Sequence, residues 1–320
     1  MPLVCVSRTL PTRFDCPGAE IRFGPDHGVM SGDELRAFVK GADAIVSWFC
    51  DRVTDEVIAA AGPQLKIIAN YAVGYENIDL AAARRRGIIV TNTPDAVTEG
   101  TADMAWALLL AAARRLIHAD RFARSGEWAT HGILGPSQMI GASIAGRTLF
   151  IVGAGRIGRA TALRSLGWGM RTLYFARTPK PEWEFAPLNA RRVELDEGLR
   201  EADFVSLHTP LNESTRHLID ARRLALMKPS AVLINTSRGP VIDESALADA
   251  LKKKTIAAAG LDVFENEPRL HPDLAALDNL VTAPHIGSAT VDSRRMMTDL
   301  CAANIRAVLN GKPPLTPVPV

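Results

Sequence analysis

TLFIVGAGRIGRATALRSLGWGMRTLYFART, residues 148–178, is the stretch whose reading decides the fold. Residues 149–152 form a short, wholly apolar run, the pattern of a strand buried on both faces of a parallel sheet. The six residues Gly153, Ala154, Gly155, Arg156, Ile157 and Gly158 follow at once, then a helical stretch and a second apolar strand from Thr172. Each glycine has its own reason. Gly153 permits a tight turn, Gly155 lets the backbone approach a pyrophosphate, and Gly158 lets helix and strand pack closely. The N-terminus of the helix offers unpaired N–H groups and the positive end of its dipole to phosphates. Strand, glycine loop, helix and strand in this order predict a dinucleotide-binding unit, with Gly153, Gly155, Arg156, Ile157 and Gly158 at the cofactor.

Cofactor choice is read from an absence. NAD-preferring sites usually carry Asp or Glu at the end of the second strand, about 20 residues past the glycines, to accept from the ribose 2′-OH. Here Phe175 is followed by Ala176, Arg177 and Thr178, with no carboxylate. A guanidinium matches a phosphate in two-point fashion, so Arg177 and the Thr178 hydroxyl suit a 2′-phosphate. NADPH is therefore expected as the preferred cofactor over NADH, with Ala176, Arg177 and Thr178 lining its adenosine end.

Composition excludes several function classes. A chain of 320 residues with 47% hydrophobic content can fill two cores without disulfide staples. The net charge of +2 gives no field for nucleic acid. The clusters Arg84-Arg85-Arg86 and Lys252-Lys253-Lys254 fall at the ends of apparent helices, where they complement the dipole. The four cysteines Cys5, Cys16, Cys50 and Cys301 show no metal-ligand spacing and read as reduced thiols. The longest apolar stretch, 104–113, falls well short of the roughly 20 residues of a membrane span. A cytoplasmic protein with neither membrane nor nucleic-acid partner is expected.

Strand and helix alternate along most of the chain. Strands are expected at 3–7, 19–23, 44–48, 65–69 and 88–91, and again at 148–152, 172–176, 203–208, 231–235, 257–261 and 280–283. Ser31 with Glu34 forms a capping box that opens one of the intervening helices. Alternation of this kind implies α/β architecture with parallel sheets covered on both faces. An Ala- and Leu-rich segment from Thr98 to about Ser125 is too apolar for a solvated linker. The apolar residues of 289–309 recur at helical spacing, and Gly311 and Pro313 end that helix. Two Rossmann-like domains are expected: residues 1–98 plus 290–320 for substrate, and an inserted nucleotide-binding domain at 99–289. The two crossings between them can act as a hinge.

Three polar groups stand at or just past the ends of late strands, where ligand sites of open α/β sheets lie. They are Arg238 in AVLINTSRG, Glu267 in GLDVFENEP and His285 in NLVTAPHIGSAT. Histidine titrates near neutrality and can give a proton to a carbonyl oxygen as hydride arrives at carbon. A neighbouring carboxylate favours the imidazolium and fixes the ring. Arginine can clamp a substrate carboxylate and polarise the adjoining carbonyl. Together these are the parts for hydride transfer to a 2-keto acid.

The motifs NYAVGYENID (70–79), TPDAVTEGTADMA (93–105), VGAGRIGR (152–159), LHTPLNESTRHLI (207–219), NTSRGPVIDE (235–244), GLDVFENEP (260–268) and PHIGSAT (284–290) span most of the chain. In that order they resemble the D-isomer-specific 2-hydroxyacid dehydrogenases. The resemblance implies that Arg238, Glu267 and His285 are the catalytic set. It implies that the backbone N–H groups of Ala72, Val73 and Gly74 hold a substrate carboxylate, and that Asp262 contacts the nicotinamide carboxamide. Thr101, His208, Thr209, Pro210, Thr215, Thr236, Ser237 and Gly287 are implied as further cofactor-lining positions. Within the family, NYAVGYENID and the ART segment are most similar to glyoxylate/hydroxypyruvate reductases, so a small 2-keto acid substrate and a homodimer are expected. Glu267 argues against the formate dehydrogenase relatives, which carry glutamine there. The segment 131–141 (HGILGPSQMIG) matches no functional pattern and a plain surface loop is expected; in relatives the equivalent loop can reach a neighbouring subunit's active site, a role that the resemblance would give to Leu134 or Met139. Other readings stay open: a phosphoglycerate or D-lactate type of dehydrogenase, or a non-catalytic, nucleotide-sensing corepressor-like protein.

Overall fold

The structure, a computed structural model, describes residues 1–319. The chain divides into two compact units, Met1–Val97 with Ala289–Val320, and Thr98–Ser288. The first unit is built on five strands: β1 (Leu3–Val6), β2 (Glu20–Phe23), β3 (Ala44–Trp48), β4 (Ile67–Tyr71) and β5 (Ile89–Thr91). They pair in the order β2-β1-β3-β4-β5, and every pairing is parallel. The capping box forms as its residues require: Ser31 Oγ accepts from Glu34 N–H, and the Glu34 carboxylate accepts from Ser31 N–H at 2.8 Å. Cys5, Ile45, Ile58, Ile68 and Val90 share the core. Helix Val291–Leu309 packs against β4, where Tyr71 Oη donates to the Arg294 carbonyl at 2.7 Å.

β4 runs two residues later than its apolar content predicts. Trp48 pairs with Tyr71, so β3 carries the ladder onward. Asn70 can be buried within it because its Oδ1 accepts from Ser47 Oγ at 2.9 Å. Leu65 instead closes the turn at Gly62, donating to the Gly62 carbonyl. A hydrogen-bonded polar residue thus extends a strand that hydropathy alone ends early.

The second unit carries β6 (Thr148–Val152), β7 (Arg171–Phe175), β8 (Arg191–Arg192), β9 (Phe204–Leu207), β10 (Val232–Asn235), β11 (Ala258–Leu261) and β12 (Leu280–Thr282). Their order is β12-β11-β10-β9-β6-β7-β8, again all parallel. This is a doubly wound sheet whose order reverses between β6 and β9, the place where such sheets bind ligands. Residues of β6 are buried throughout, as expected of a central strand. Phe150, Leu207, Leu233 and Leu247 fill one core, and Leu109, Ile151, Tyr174 and Trp183 another. β8 escapes prediction: it is two exposed arginines, held as a strand only by pairing with Leu173 and Tyr174 of β7.

The Ala- and Leu-rich segment is two helices, Thr98–Ala113 and Leu116–Arg124. The first buries Trp106, Leu108 and Leu109 against the sheet of its own unit. The break has a cause in a returning segment of the chain. Ala142 N–H donates to the Ala113 carbonyl at 2.8 Å, taking the acceptor that a continuous helix would use, and Arg115 adopts φ 52°. The arginine cluster 84–86 ends a helix as expected, and Arg85 and Arg86 also pair with Asp55. Among the described residues the four cysteines are free and no helix is long and apolar enough to cross a membrane. Nor is any group of three or more His, Cys, Asp or Glu among them placed to hold a metal ion.

Candidate active site

The glycine loop between β6 and helix Arg156–Arg164 behaves as its sequence demands. Gly153 has φ +104°, and a Cβ there would come within 2.6 Å of the His208 carbonyl oxygen. A Cβ on Gly158 would meet the Gly153 carbonyl oxygen at 2.2 Å, so helix and loop pack in van der Waals contact. A Cβ on Gly155 would meet nothing within 4 Å. The loop is therefore closed towards the protein and open in front of the helix N-terminus, where Arg156 and Ile157 begin the helix. That is the form of a cradle for phosphate.

A cavity of about 870 Å³ opens from this loop. Gly153, Gly155, Ala176, Arg177, Thr178, His208, Thr209, Pro210 and Thr215 all line it. Thr215 Oγ1 donates to the Pro210 carbonyl at 2.7 Å and accepts from Asn212 N–H, which folds the segment after β9 over the cavity. His208 is held by Ser206 Oγ at 2.8 Å, and burial pushes its imidazole down to about 3, so it is neutral at physiological pH. The loop after β7 is fixed by Arg192, whose Nη2 donates to the Ala176 carbonyl at 3.0 Å. Lys180 lines the same end, adding a second cation beside Arg177. Sequence reading missed Lys180, Glu194, Asp196 and Arg223, which cap or lie within the short helices Pro181–Glu184, Leu195–Glu201 and Ala221–Leu224 and belong to no motif of their own.

At the other strand ends the acid–base groups meet. His285 Nδ1 lies 2.8 Å from Glu267 Oε2, and Glu267 Oε1 accepts from Phe264 N–H at 3.0 Å. Burial alone would raise the Glu267 carboxyl, but the His285 hydrogen bond and the charges of His285 and Arg238 outweigh it and hold the group below its ordinary value. Arg238 thus shares the electrostatic environment of the pair, and its Nη1 donates to the Ser237 carbonyl at 2.7 Å. His285 sits at φ 55°, left-handed for a non-glycine residue, and its N–H is held by the Asp262 and Ala283 carbonyls. The Asp262 carboxylate accepts from Ile286 and Gly287 N–H at 2.8 and 2.7 Å. A Cβ on Gly287 would lie 2.9 Å from Asp262 Oδ2 and 3.5 Å from Thr101 Oγ1, so these three residues are grouped. Burial pushes the Asp262 carboxyl up.

Two further observations bear on a cofactor. The hydroxyls of Thr209 and Thr236 are buried and have no hydrogen-bond partner among the described residues. Ser237 Oγ, by contrast, is spent on Asn235 Oδ1 at 2.7 Å. Thr209 lines the cavity that opens from the glycine cradle, and a buried orphan hydroxyl there fits a polar group that completes it. In the first unit, Ala72, Val73 and Gly74 follow β4. Their carbonyls accept from Thr93 N–H, Asn92 Nδ2 and Asn70 Nδ2 respectively, while their N–H groups donate to none of the described residues.

Comparison with known proteins agrees with this geometry. Residues 106–287 match the D-isomer-specific 2-hydroxyacid dehydrogenase NAD-binding domain. A glyoxylate reductase of Thermococcus onnurineus is 52% identical over 98% of this chain and 95% of its own. The TT0316 protein of Thermus thermophilus superposes with a TM-score of 0.91 at 44% identity, covering 99% of this chain and all of that one. An NADPH-dependent glyoxylate/hydroxypyruvate reductase of Sinorhizobium meliloti, solved with NADP and malonate, gives 0.82 at 34% identity over 99% and 96% of the two chains. With the glycine cradle, the doubly wound sheet and the His285–Glu267 pair, these similarities establish that the chain belongs to the NAD(P)-dependent D-isomer-specific 2-hydroxyacid dehydrogenases.

Proposed function

We propose that this enzyme reduces a small 2-keto acid, glyoxylate or hydroxypyruvate, to the 2-hydroxy acid, with NADPH preferred and His285 as proton donor. The observation that carries this reading is the 2.8 Å contact between His285 Nδ1 and Glu267 beside the strand ends of a dinucleotide fold. The glyoxylate reductase name of the relative described above supports the substrate class. The absence of a carboxylate at Ala176-Arg177-Thr178 supports the cofactor choice.

Bound NADPH supplies the hydride; the rest falls to the chain. Glu267 engages Nδ1 of His285, and Nε2 is assigned the proton given to the substrate carbonyl oxygen. Arg238 binds the substrate carboxylate and polarises the carbonyl. The N–H groups of Ala72, Val73 and Gly74 are assigned to a substrate carboxylate. The glycine cradle holds the pyrophosphate, Thr209 and Thr236 complete their hydrogen bonds on the cofactor, and Arg177 with Thr178 takes the 2′-phosphate. Asp262 holds the His285 turn through the Ile286 and Gly287 N–H groups, one on each oxygen, and each oxygen keeps a second lone pair for the nicotinamide carboxamide.

A homodimer is part of the same reading. Leu116, Trp128, Ile133 and Ile140 are exposed along consecutive segments of the second unit, Ile133 at 96%. A second copy of the chain would cover such a face by two-fold self-pairing. Loss of NADPH absorbance with a panel of 2-keto acids tests the function. Turnover with glyoxylate or hydroxypyruvate is expected, and none across the panel would favour a nucleotide-sensing role.

A further inference from the structure

Glu244 opens helix Glu244–Lys252 and is only 2% exposed. Its Oε1 accepts from the backbone N–H of Glu265 at 2.7 Å. Its Oε2 is buried and has no hydrogen-bond partner among the described residues. Glu265 is held a second time, its carboxylate pairing with His217 Nε2. His217 is itself fixed at φ 48°, with its N–H donating to the Pro240 carbonyl at 2.7 Å. The backbone beneath leaves no slack: a Cβ on Gly239 would approach the Phe264 carbonyl carbon to 1.9 Å. The turn that delivers Glu267 to His285 is therefore anchored two residues earlier, at Glu265.

We propose that Glu244 is a positioning residue which, by accepting the Glu265 N–H, sets the reach of Glu267 to His285 Nδ1. This rests on the reading of His285 and Glu267 as the acid pair. What the device needs is an acceptor at the position of Oε1, and the charge of Glu244 plays no part in it. A buried oxygen without a partner favours the protonated carboxyl, and burial pushes the Glu244 carboxyl up. The charged groups around it are the carboxylates of Glu265 and Glu267 and the ring of His271. His217 faces Glu265, while His285 and Arg238 face Glu267.

Three variants of the full-length enzyme test this. Glu244→Gln keeps the acceptor, Glu244→Asp withdraws it by one methylene, and Glu244→Ala removes it. The Asp and Ala variants should lose roughly 10- to 100-fold in kcat for reduction, the scale of a misplaced catalytic group, with NADPH affinity unchanged. Their loss of activity at high pH should begin at lower pH, because Glu267 no longer supports the imidazolium. Glu244→Gln should keep the wild-type pH profile. A merely structural role would lower the melting temperature and leave the profile in place. If Glu244→Ala does not fold, Glu244→Asp carries the comparison. A wild-type profile in the Asp variant, or a shift in Gln as large as in Asp, overturns the proposal. Glu267→Gln measured alongside separates the two levels: a shift there but none in Glu244→Asp removes Glu244 alone, and no shift there removes the pair itself.

Discussion

His285 is held both at its ring and at its backbone. Glu267 takes Nδ1, and the Asp262 and Ala283 carbonyls hold the N–H of a left-handed backbone. Replacing it by glutamine should leave NADPH binding intact and cost roughly 10²–10⁴-fold in kcat, the worth of a positioned general acid. Full activity in His285→Gln would remove it from the mechanism. Glu267→Gln should act through pH. With the neighbouring charge gone, the imidazolium loses its proton more easily, so the high-pH limb of kcat/KM for reduction should move down. The same pair has a stability consequence of defined sign. The Glu267 carboxyl titrates below its ordinary value, so its contribution is present above the unfolded-state pKa of about 4.3 and fades as pH falls through the folded value. The meeting of His285 and Glu267 was legible in sequence because the chemistry proposed for them calls for those residue types at strand ends. Glu244 was not: it reads as an ordinary first-turn carboxylate, and no spacing announces that it meets a backbone N–H 21 residues further on.

Elements were legible wherever one physical rule dominates. The central strands show as apolar runs because both faces are buried, and the helix at Ser31 shows by its cap. β8 and the break at Arg115 were hidden, because strand pairing and a returning backbone impose them from outside the local sequence. Within the glycine loop, two substitutions separate folding from binding. Gly158→Ala drives a Cβ to 2.2 Å from the Gly153 carbonyl oxygen and should destabilise by at least about 1–3 kcal/mol, seen as a lower melting temperature. Gly155→Ala meets no protein atom within 4 Å, so stability should hold while NADPH affinity falls by about tenfold or more. A Gly155→Ala enzyme with normal NADPH affinity would move the pyrophosphate elsewhere. The proposed cofactor preference rests on the loop after β7. A charge-assisted contact from Arg177 to the 2′-phosphate is worth roughly 1.5–3 kcal/mol, or about 10- to 150-fold in kcat/KM for NADPH over NADH. Ala176→Asp with Arg177→Ala should reverse that order, since a carboxylate accepts from a 2′-OH and repels a phosphate. Equal wild-type use of both cofactors would refute the reading of this loop and leave the acid pair untouched.

At the scale of the molecule, each hydrophobic core closes within one unit. The Phe150 and Tyr174 cores consist of residues between 104 and 283, and the Ile45 core of residues from the first hundred together with Val318. The segment Thr98–Ser288 is one continuous piece of chain that holds its entire sheet, the glycine cradle and the His285–Glu267 pair. It also carries the exposed apolar residues Leu116, Trp128, Ile133 and Ile140. Expressed alone, it should therefore unfold cooperatively and bind NADPH, gaining about 2.7 kcal/mol at a cofactor concentration of 100 Kd by mass action. It should sediment as a dimer, because the face assigned to self-pairing lies wholly within it. Changing Ile133 and Ile140 to Asp places charges on that face and should yield a monomer whose NADPH affinity is unchanged, since neither residue lines the cofactor cavity. A monomeric wild-type segment, or a dimer that survives both Asp substitutions, would move the subunit contact to another surface. A segment that binds no NADPH while folded would show that the cradle depends on residues outside it, against the containment of both cores within 98–288.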